Sequence, residues 1–133
     1  MKMVMSAFVV GVGLLLATAS TFAHHSFAAE FDANKPIKLT GVIKEMIWSN
    51  PHGWLYVDVK APNGKIVTWK FELGTPNGMY RRGWRKTDVV VGSQVTVEGF
   101  LAKDGTPTAN ADSVLLADGR KLGVGSSGPG TLR

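Results

Sequence analysis

Two neighbouring segments in the middle of the chain alternate apolar and polar residues with a period of two. In WLYVDVK, residues 54–60, every second residue from Leu55 is aliphatic, and IVTWKFEL, residues 66–73, alternates in the same way. This period is that of a β-strand with one buried face. Between the segments, Asn63-Gly64 is a strong signal for a tight hairpin turn. The pattern therefore predicts an antiparallel hairpin at the centre of the fold.

Three further segments have the composition of strands, and they set the expected order of elements. They cover residues 39–48, 93–105 and 111–119. After the hairpin, Thr75 followed by Pro76 is typical of the start of a short helix. Three strands, a short helical connection and two more strands form the order of an OB-type barrel. We therefore predict an all-β protein, a small five-stranded OB-like barrel with one short helical connection. An antiparallel sandwich is the competing architecture, because periodicity identifies strands and not their pairing.

Acidic residues along these strands are expected on the solvent face, because they alternate with apolar residues. They are Glu45, Asp58, Glu72 and Glu98. No nucleophile elbow and no phosphate-binding glycine loop occurs in the chain. The sequence therefore predicts no catalytic residues.

The N-terminal residues have the three parts of a secretory signal peptide. Lys2 is followed by an apolar stretch over residues 4–16 and by the small-residue exit ATASTFA. The apolar stretch is shorter than the roughly 20 residues of a membrane span, although an N-terminal anchor or buried helix is the alternative. Cleavage is predicted after Ala23, with Ala19 as the second possible point. We therefore expect a periplasmic or secreted protein that is not integral to the membrane after cleavage.

Four parts of the chain follow from this organisation. They are a signal peptide over residues 1–23, an N-terminal segment over 24–37, the barrel domain over 38–121 and a disordered tail over 122–133. The tail, which contains GVGSSGPGTLR, has little apolar surface to bury. The chain has no cysteine. Its domain must therefore be held by its core alone, and any metal site must use imidazole, carboxylate or amine ligands.

The three histidines, His24, His25 and His52, suggest such a site. Cleavage after residue 23 would give His24 both a free amine and a ring nitrogen, and His52 in the NPHG turn could add a third nitrogen. Such a set suits Cu(II), and also Ni(II) or Zn(II), and resembles the copper histidine brace of oxidative enzymes and copper carriers. Glu30 and Asp32 are possible oxygen ligands. Alternatively, the adjacent histidines belong to a flexible leader and His52 only hydrogen-bonds within its turn.

A basic segment, residues 80–86, is the second candidate site. It combines aromatic and cationic residues: Tyr80, Arg81, Arg82, Trp84, Arg85 and Lys86. Such a combination could bind an anionic polymer, a lipid headgroup or a sugar. Alternatively, Tyr80 and Trp84 pack against the domain one helical turn apart while the arginines are solvated. Export argues against nucleic acid as the partner.

Several motifs resemble those of a group of small exported bacterial proteins classed as a domain of unknown function. They are the start HHSFAAEFD, the central WSNPH, ELGTPNGMYRRGWR, and the closing VTVEGFLAKDG and SVLLADGRK. The resemblance covers residues 24–121. It implies export and a compact β domain, with histidines at these positions as features of the family, and it implies no particular reaction.

These observations favour an exported binding protein over an enzyme. The leading ligand is a transition metal, copper first, held by His24, His25 and His52. The alternatives are an envelope adaptor that binds an anionic or carbohydrate component through the basic segment, and a copper-dependent oxidative enzyme.

Overall fold

A computed structural model describes residues 27–126 and 128–129, so the predicted signal peptide, His24 and His25 lie outside the described residues. The described residues form six strands: β1 Phe31–Ile47, β2 Trp54–Lys60, β3 Ile66–Glu72, β4 Gln94–Ala102, β5 Thr108–Leu115 and β6 Lys121–Gly123. They also form two short α-helices, α1 Phe27–Glu30 and α2 Pro76–Arg81, and one turn of 3₁₀-helix, Lys86–Asp88. The all-β class predicted from the alternating segments is confirmed.

The central hairpin forms as predicted from its alternation and its turn. β2 and β3 pair antiparallel along their whole length, from Trp54 opposite Glu72 to Lys60 opposite Ile66. In the turn, Gly64 has a φ of +82°, a conformation that a side chain would strain. The hairpin therefore rests on local residues as well as on its buried face.

The strands close into a ring in the order β1-β2-β3-β5-β4. β1 pairs antiparallel with β4 through its first part and with β2 through its last part. β5 pairs antiparallel with β4 and parallel with β3, and this last pairing closes the ring. Gly41 and Gly99 allow the strands to approach closely, because a Cβ there would overlap the carbonyl oxygens of Asp58 and Asn110 respectively. β6 lies outside the ring, against β5.

The first strand begins earlier than the sequence predicts. Residues 24–37 were expected to precede the strands, but β1 starts at Phe31, which pairs with Ala102 at the end of β4. Phe31 is buried, and the ring of Phe27 lies 5.7 Å from it and 5.6 Å from the ring of Phe100. Pairing and aromatic contacts with distant β4 hold this segment. These contacts form the start of β1 although residues 31–37 lack the alternating apolar pattern of a strand with one buried face.

The predicted disorder of residues 122–133 does not extend to the beginning of that stretch. β6 includes Leu122, which pairs with Val114, and Val124 is fully buried with its amide donating to the Asp112 carbonyl at 3.0 Å. Ser126 is also buried. Few apolar residues are needed here, because the segment adds to an existing sheet and core.

The ring encloses one core, to which the connection between β3 and β4 contributes. Thr75 caps α2 by accepting a hydrogen bond from the Gly78 amide at 3.1 Å, with Pro76 as the first helical residue. This confirms the predicted short helical connection. Met79 and Trp84 from this connection are fully buried with the inward residues of the strands. Among the described residues, no helix has the length and apolar character to cross a membrane.

Candidate metal-binding site

The turn between β1 and β2 is fixed to the end of β3. The Ser49 hydroxyl donates to the carbonyl of His52 at 2.8 Å. Gly53 donates to the Gly74 carbonyl at 2.9 Å and accepts from the Leu73 amide at 2.8 Å. The peptide bond between Asn50 and Pro51 is cis. His52 is thus carried by a turn with hydrogen bonds on both sides of it.

The imidazole of His52 has a defined orientation. Its Nδ1 lies 3.0 Å from the carbonyl oxygen of Leu73, and its side chain is 14% exposed. Because a carbonyl oxygen only accepts hydrogen bonds, Nδ1 must carry the proton. In the neutral ring, Nε2 then holds the lone pair. A backbone carbonyl that fixes the tautomer in this way is the usual second partner of a metal-ligating histidine.

A buried polar network lies behind His52. The Oε1 atom of Glu72 is 3.8 Å from Nδ1 of His52 and accepts a hydrogen bond from the Asn110 amide at 3.3 Å. The Ser126 hydroxyl lies 2.8 Å from Oδ1 of Asn110. Glu72 is only 2% exposed. Its carboxyl group therefore faces the His52 ring in a place from which solvent is largely excluded, where electrostatic interactions are stronger than in water.

These residues surround a small cavity, which we call the histidine pocket. Its volume is about 270 Å³, and its lining consists of Glu30, Ser49, Asn50, Pro51, His52, Trp54 and Glu72. Glu30 ends helix α1, and its carbonyl accepts from the Lys103 amide at 2.8 Å. The first described helix thus ends beside the pocket.

The two residues predicted as oxygen ligands do not lie at the same site in the structure. Glu30 lines the histidine pocket with His52, whereas Asp32 is absent from that lining and accepts a hydrogen bond from the Asn34 amide at 2.9 Å. Within residues 27–126 and 128–129, no group of three or more histidine or carboxylate side chains is placed to hold a metal ion. His52 and its neighbours would therefore need ligands from the preceding chain to complete a site.

The basic segment divides into buried rings and exposed cations. Trp84 is fully buried, and its indole nitrogen donates to the Gly123 carbonyl at 2.9 Å. Tyr80 stacks on Trp48 with ring centroids 5.9 Å apart. Arg81, Arg82, Arg85 and Lys86 are exposed. Trp84 therefore packs in the core, as the alternative interpretation of the basic segment predicts, because neither face of its ring is accessible to a ligand.

Glu72 and Asn110 were not identified from the sequence as residues of this site. Glu72 was expected on the solvent face, because it alternates with inward residues such as Phe71 and Leu73. It is buried because the parallel pairing with β5 places Asn110 opposite it, and because the segment that contains Ser126 covers that end of the sheet. The one sequence feature that could have indicated this is the position of Glu72 at the end of its strand. That position alone does not distinguish a buried carboxylate from an exposed one.

Comparison with known proteins gives one family. The model of a family described as "Family of unknown function (DUF6152)" matches residues 12–111, most of the chain. The matched residues include all three histidines and extend into β5. A comparison with curated proteins gives no match.

Proposed function

The chain belongs to this family of unknown function, and from that premise we propose that it is an exported protein that binds one Cu(II) ion through the mature N terminus at His24 and through His52. The observation that carries the proposal is the hydrogen bond from Nδ1 of His52 to the Leu73 carbonyl at 3.0 Å. It leaves Nε2 as a lone-pair donor in a pocket beside the N-terminal segment.

The length of the chain is compatible with a shared site. Glu30 already lines the histidine pocket, and His24 precedes Phe27 by only a short run. Three extended residues span up to about 10 Å. A shared site therefore requires only that this short run lie toward the pocket, with no change in the strands.

The chemistry of the pocket favours a cation. Glu72 and Glu30 supply negative charge around His52, and a carboxylate near a ligating imidazole increases its basicity as a ligand. Nitrogen-rich sites bind Cu(II) more tightly than Ni(II) or Zn(II). Copper is therefore the first metal to test, and His25 is expected to contribute less because its ring is not part of the terminal chelate.

The first experiment fixes the terminus. The intact mass of the exported protein should correspond to a chain that begins at His24. A chain that retains Met1 or begins at Ser20 would remove the terminal chelate and with it this form of the proposal.

The second experiment compares copper titrations, followed by electron paramagnetic resonance, on four proteins. They are the mature protein, the same protein with one alanine added before His24, His52→Ala and the control His25→Ala. We expect the added residue to weaken binding most, because it moves the amine away from the imidazole, and His52→Ala to weaken it as well. Unchanged copper affinity in the protein with the added alanine would refute a site at the N-terminal amine. Unchanged affinity in His52→Ala would show that the terminal peptide binds copper without the folded domain.

A copper-dependent oxidative enzyme is the catalytic form of the same proposal. It requires a coordination position that stays open to solvent or substrate. Copper-dependent consumption of oxygen in the presence of a reductant, lost in His52→Ala, would support it over simple binding.

The basic segment supports a second candidate function, an envelope adaptor for an anionic or carbohydrate component. The guanidinium of Arg85 donates to the carbonyls of Trp84 at 2.6 Å and Tyr80 at 3.1 Å and lies 5.6 Å from the Tyr80 ring centroid. This cation is therefore held in a fixed position on the surface, next to the exposed Arg81 and Arg82.

The test uses vesicles with and without an anionic phospholipid. Joint replacement of Arg81, Arg82 and Arg85 by glutamine should abolish binding to the anionic vesicles, as raised salt should. Replacement of Lys35, Lys60 and Lys65 by glutamine removes the same charge elsewhere and is the matched control. If both triple variants bind alike, the basic segment is only a solvated face.

A further inference from the structure

A larger groove adjoins the histidine pocket on the far side of Trp54. Its volume is about 510 Å³, and it lies between the start of β2, the end of β3 and the turn from β4 to β5. Glu30 and Trp54 form walls of both cavities. A volume of this size is in the range of small-molecule sites, and we refer to it as the Lys70 groove.

The groove contains a half-buried cation, Lys70, that forms no ion pair within the described part of the chain. Nζ of Lys70 lies 4.1 Å from the centroid of the Trp54 ring. Among the described residues, no Asp or Glu oxygen lies within ion-pair distance of this ammonium. The ring holds the ammonium by a cation–π contact and leaves its protons available to an acceptor.

The opposite wall adds a second donor. Lys103 donates one hydrogen bond from its ammonium to the Ala28 carbonyl, and an ammonium has three protons. Oδ1 of Asp104 accepts from the amide and the hydroxyl of Thr106 at 3.0 and 2.7 Å, so this carboxylate oxygen is engaged within its own turn. Lys70 and Lys103 thus supply the groove with two ammonium groups that have protons left for a ligand.

The rest of the lining restricts the kind of anion. Phe31, Ala29 and Ala102 give the groove an apolar part. Glu30 and Asp104 place negative charge at its borders, and this repels a dianion more than a monoanion. We infer that the Lys70 groove binds a small organic carboxylate, with its charged end at the ammonium of Lys70 and its apolar body along Trp54 and Phe31.

Lys70 is placed for this role by the closure of the ring. It lies opposite Thr108 in the parallel pairing of β3 with β5, so its backbone is held by two neighbouring strands. Thr108 also lines the groove. The site is thus formed by paired strands and does not depend on the copper ion proposed above.

The test uses the metal-free mature protein and nuclear magnetic resonance, with the indole N–H signal of Trp54 as the reporter. Phenylacetate is the probe, phenylacetamide its uncharged analogue and inorganic phosphate the purely ionic competitor. We expect phenylacetate to shift the Trp54 signal saturably, and the amide and phosphate to bind much more weakly. Equal binding of the amide would overturn the role of charge, and equal binding of phosphate would overturn the organic ligand.

Variants at Lys70 test the assignment. Lys70→Gln should weaken phenylacetate binding about tenfold or more, as expected for the loss of a hydrogen bond to a charged group, whereas Lys70→Arg should retain most of it. Lys60→Gln removes an exposed lysine from the adjacent strand and is the control. Unchanged affinity in a folded Lys70→Gln protein would refute the proposal. Because copper binding should persist in that variant, this failure is distinguishable from failure of the metal site.

Discussion

The histidine pocket and the basic segment are built from similar residues but bury opposite parts of them. In the basic segment, Trp84 is in the core and the arginines face solvent. In the histidine pocket, Trp54 is only half-buried, and the polar Glu72 and Asn110 are buried instead.

The difference follows from how each region is connected to the ring. The basic segment begins at the end of helix α2 and continues past it along the surface of the core, so its rings turn inward and its charges outward, as in any amphipathic surface element. The histidine pocket forms where the end of α1, the turn between β1 and β2, the start of β2 and the end of β3 meet, with the network of Glu72, Asn110 and Ser126 behind it. Polar groups covered there remain stable because they are hydrogen-bonded to one another.

The largest expected effect tests the core role of the basic segment. Trp84→Ala should destabilise the protein by about 3–5 kcal/mol, because it leaves a cavity at a fully buried position and removes the hydrogen bond to Gly123. Trp54→Ala, at the half-buried ring of the other region, should cost clearly less. Urea unfolding of both variants measures the difference, and a similar cost for the two would contradict the contrast between the regions.

The next effect tests the buried polar network. Asn110→Ala should cost about 1–3 kcal/mol, because it removes the hydrogen bonds of a fully buried side chain to Glu72 and Ser126 and leaves a small cavity in their place. Asn34→Ala changes the same residue type at an exposed position and should have little effect. Thermal unfolding of the pair is the measurement. If Asn110→Ala is as stable as the control, the network does not stabilise this end of the ring.

A smaller effect concerns the ion pairs that follow the basic segment. The Arg120 guanidinium contacts Asp88 at 2.6 Å and Asp118 at 2.8 Å, and its hydrogen bonds hold the pKa values of both carboxyls below the usual range. A lowered native pKa gives stability that is present above the unfolded value and is lost as the pH falls through the native value.

Arg120→Gln should therefore destabilise the protein only slightly at pH 7, since solvent screens this exposed pair. The difference from the natural protein should begin to shrink as the pH falls below the ordinary aspartate pKa of 3.8 and should be lost below the lowered native pKa values. It should also shrink in high salt. Urea unfolding at pH 7 and at a series of lower pH values gives the comparison, and a difference that stays constant throughout the series would mean that Arg120 stabilises the fold by packing and not by charge.

The smallest effect is expected on the exposed face of the basic segment. Arg81→Ala should change the free energy of unfolding by less than about 0.5 kcal/mol, because Arg81 is exposed at the end of α2. The same urea unfolding series provides the value. A loss above about 1 kcal/mol would show that the arginine surface contributes to the fold and is not reserved for a ligand.

Much of the fold could be predicted from local patterns, while the surroundings of the site could not. Alternation and the Asn63-Gly64 turn predicted the hairpin, and Thr75-Pro76 predicted the helical connection, because these signals lie within a few residues of the structure they specify. His52 was identified from its residue type and its turn. The neighbours of its ring, Leu73 and Glu72, come from a different strand, and no local pattern in the sequence links them to it.

The sequence by itself determined which segments become strands, where the chain turns, and that no thiolate can take part in a metal site. Tertiary structure decided that the strands close through a parallel pairing of β3 with β5, that residues 31–38 extend β1, and that the segment around Ser126 is buried. The physical reason is that strand propensity acts over a few residues. Burial of Glu72, the proton on Nδ1 of His52 and the neighbours of Lys70 depend on contacts between segments far apart in the chain.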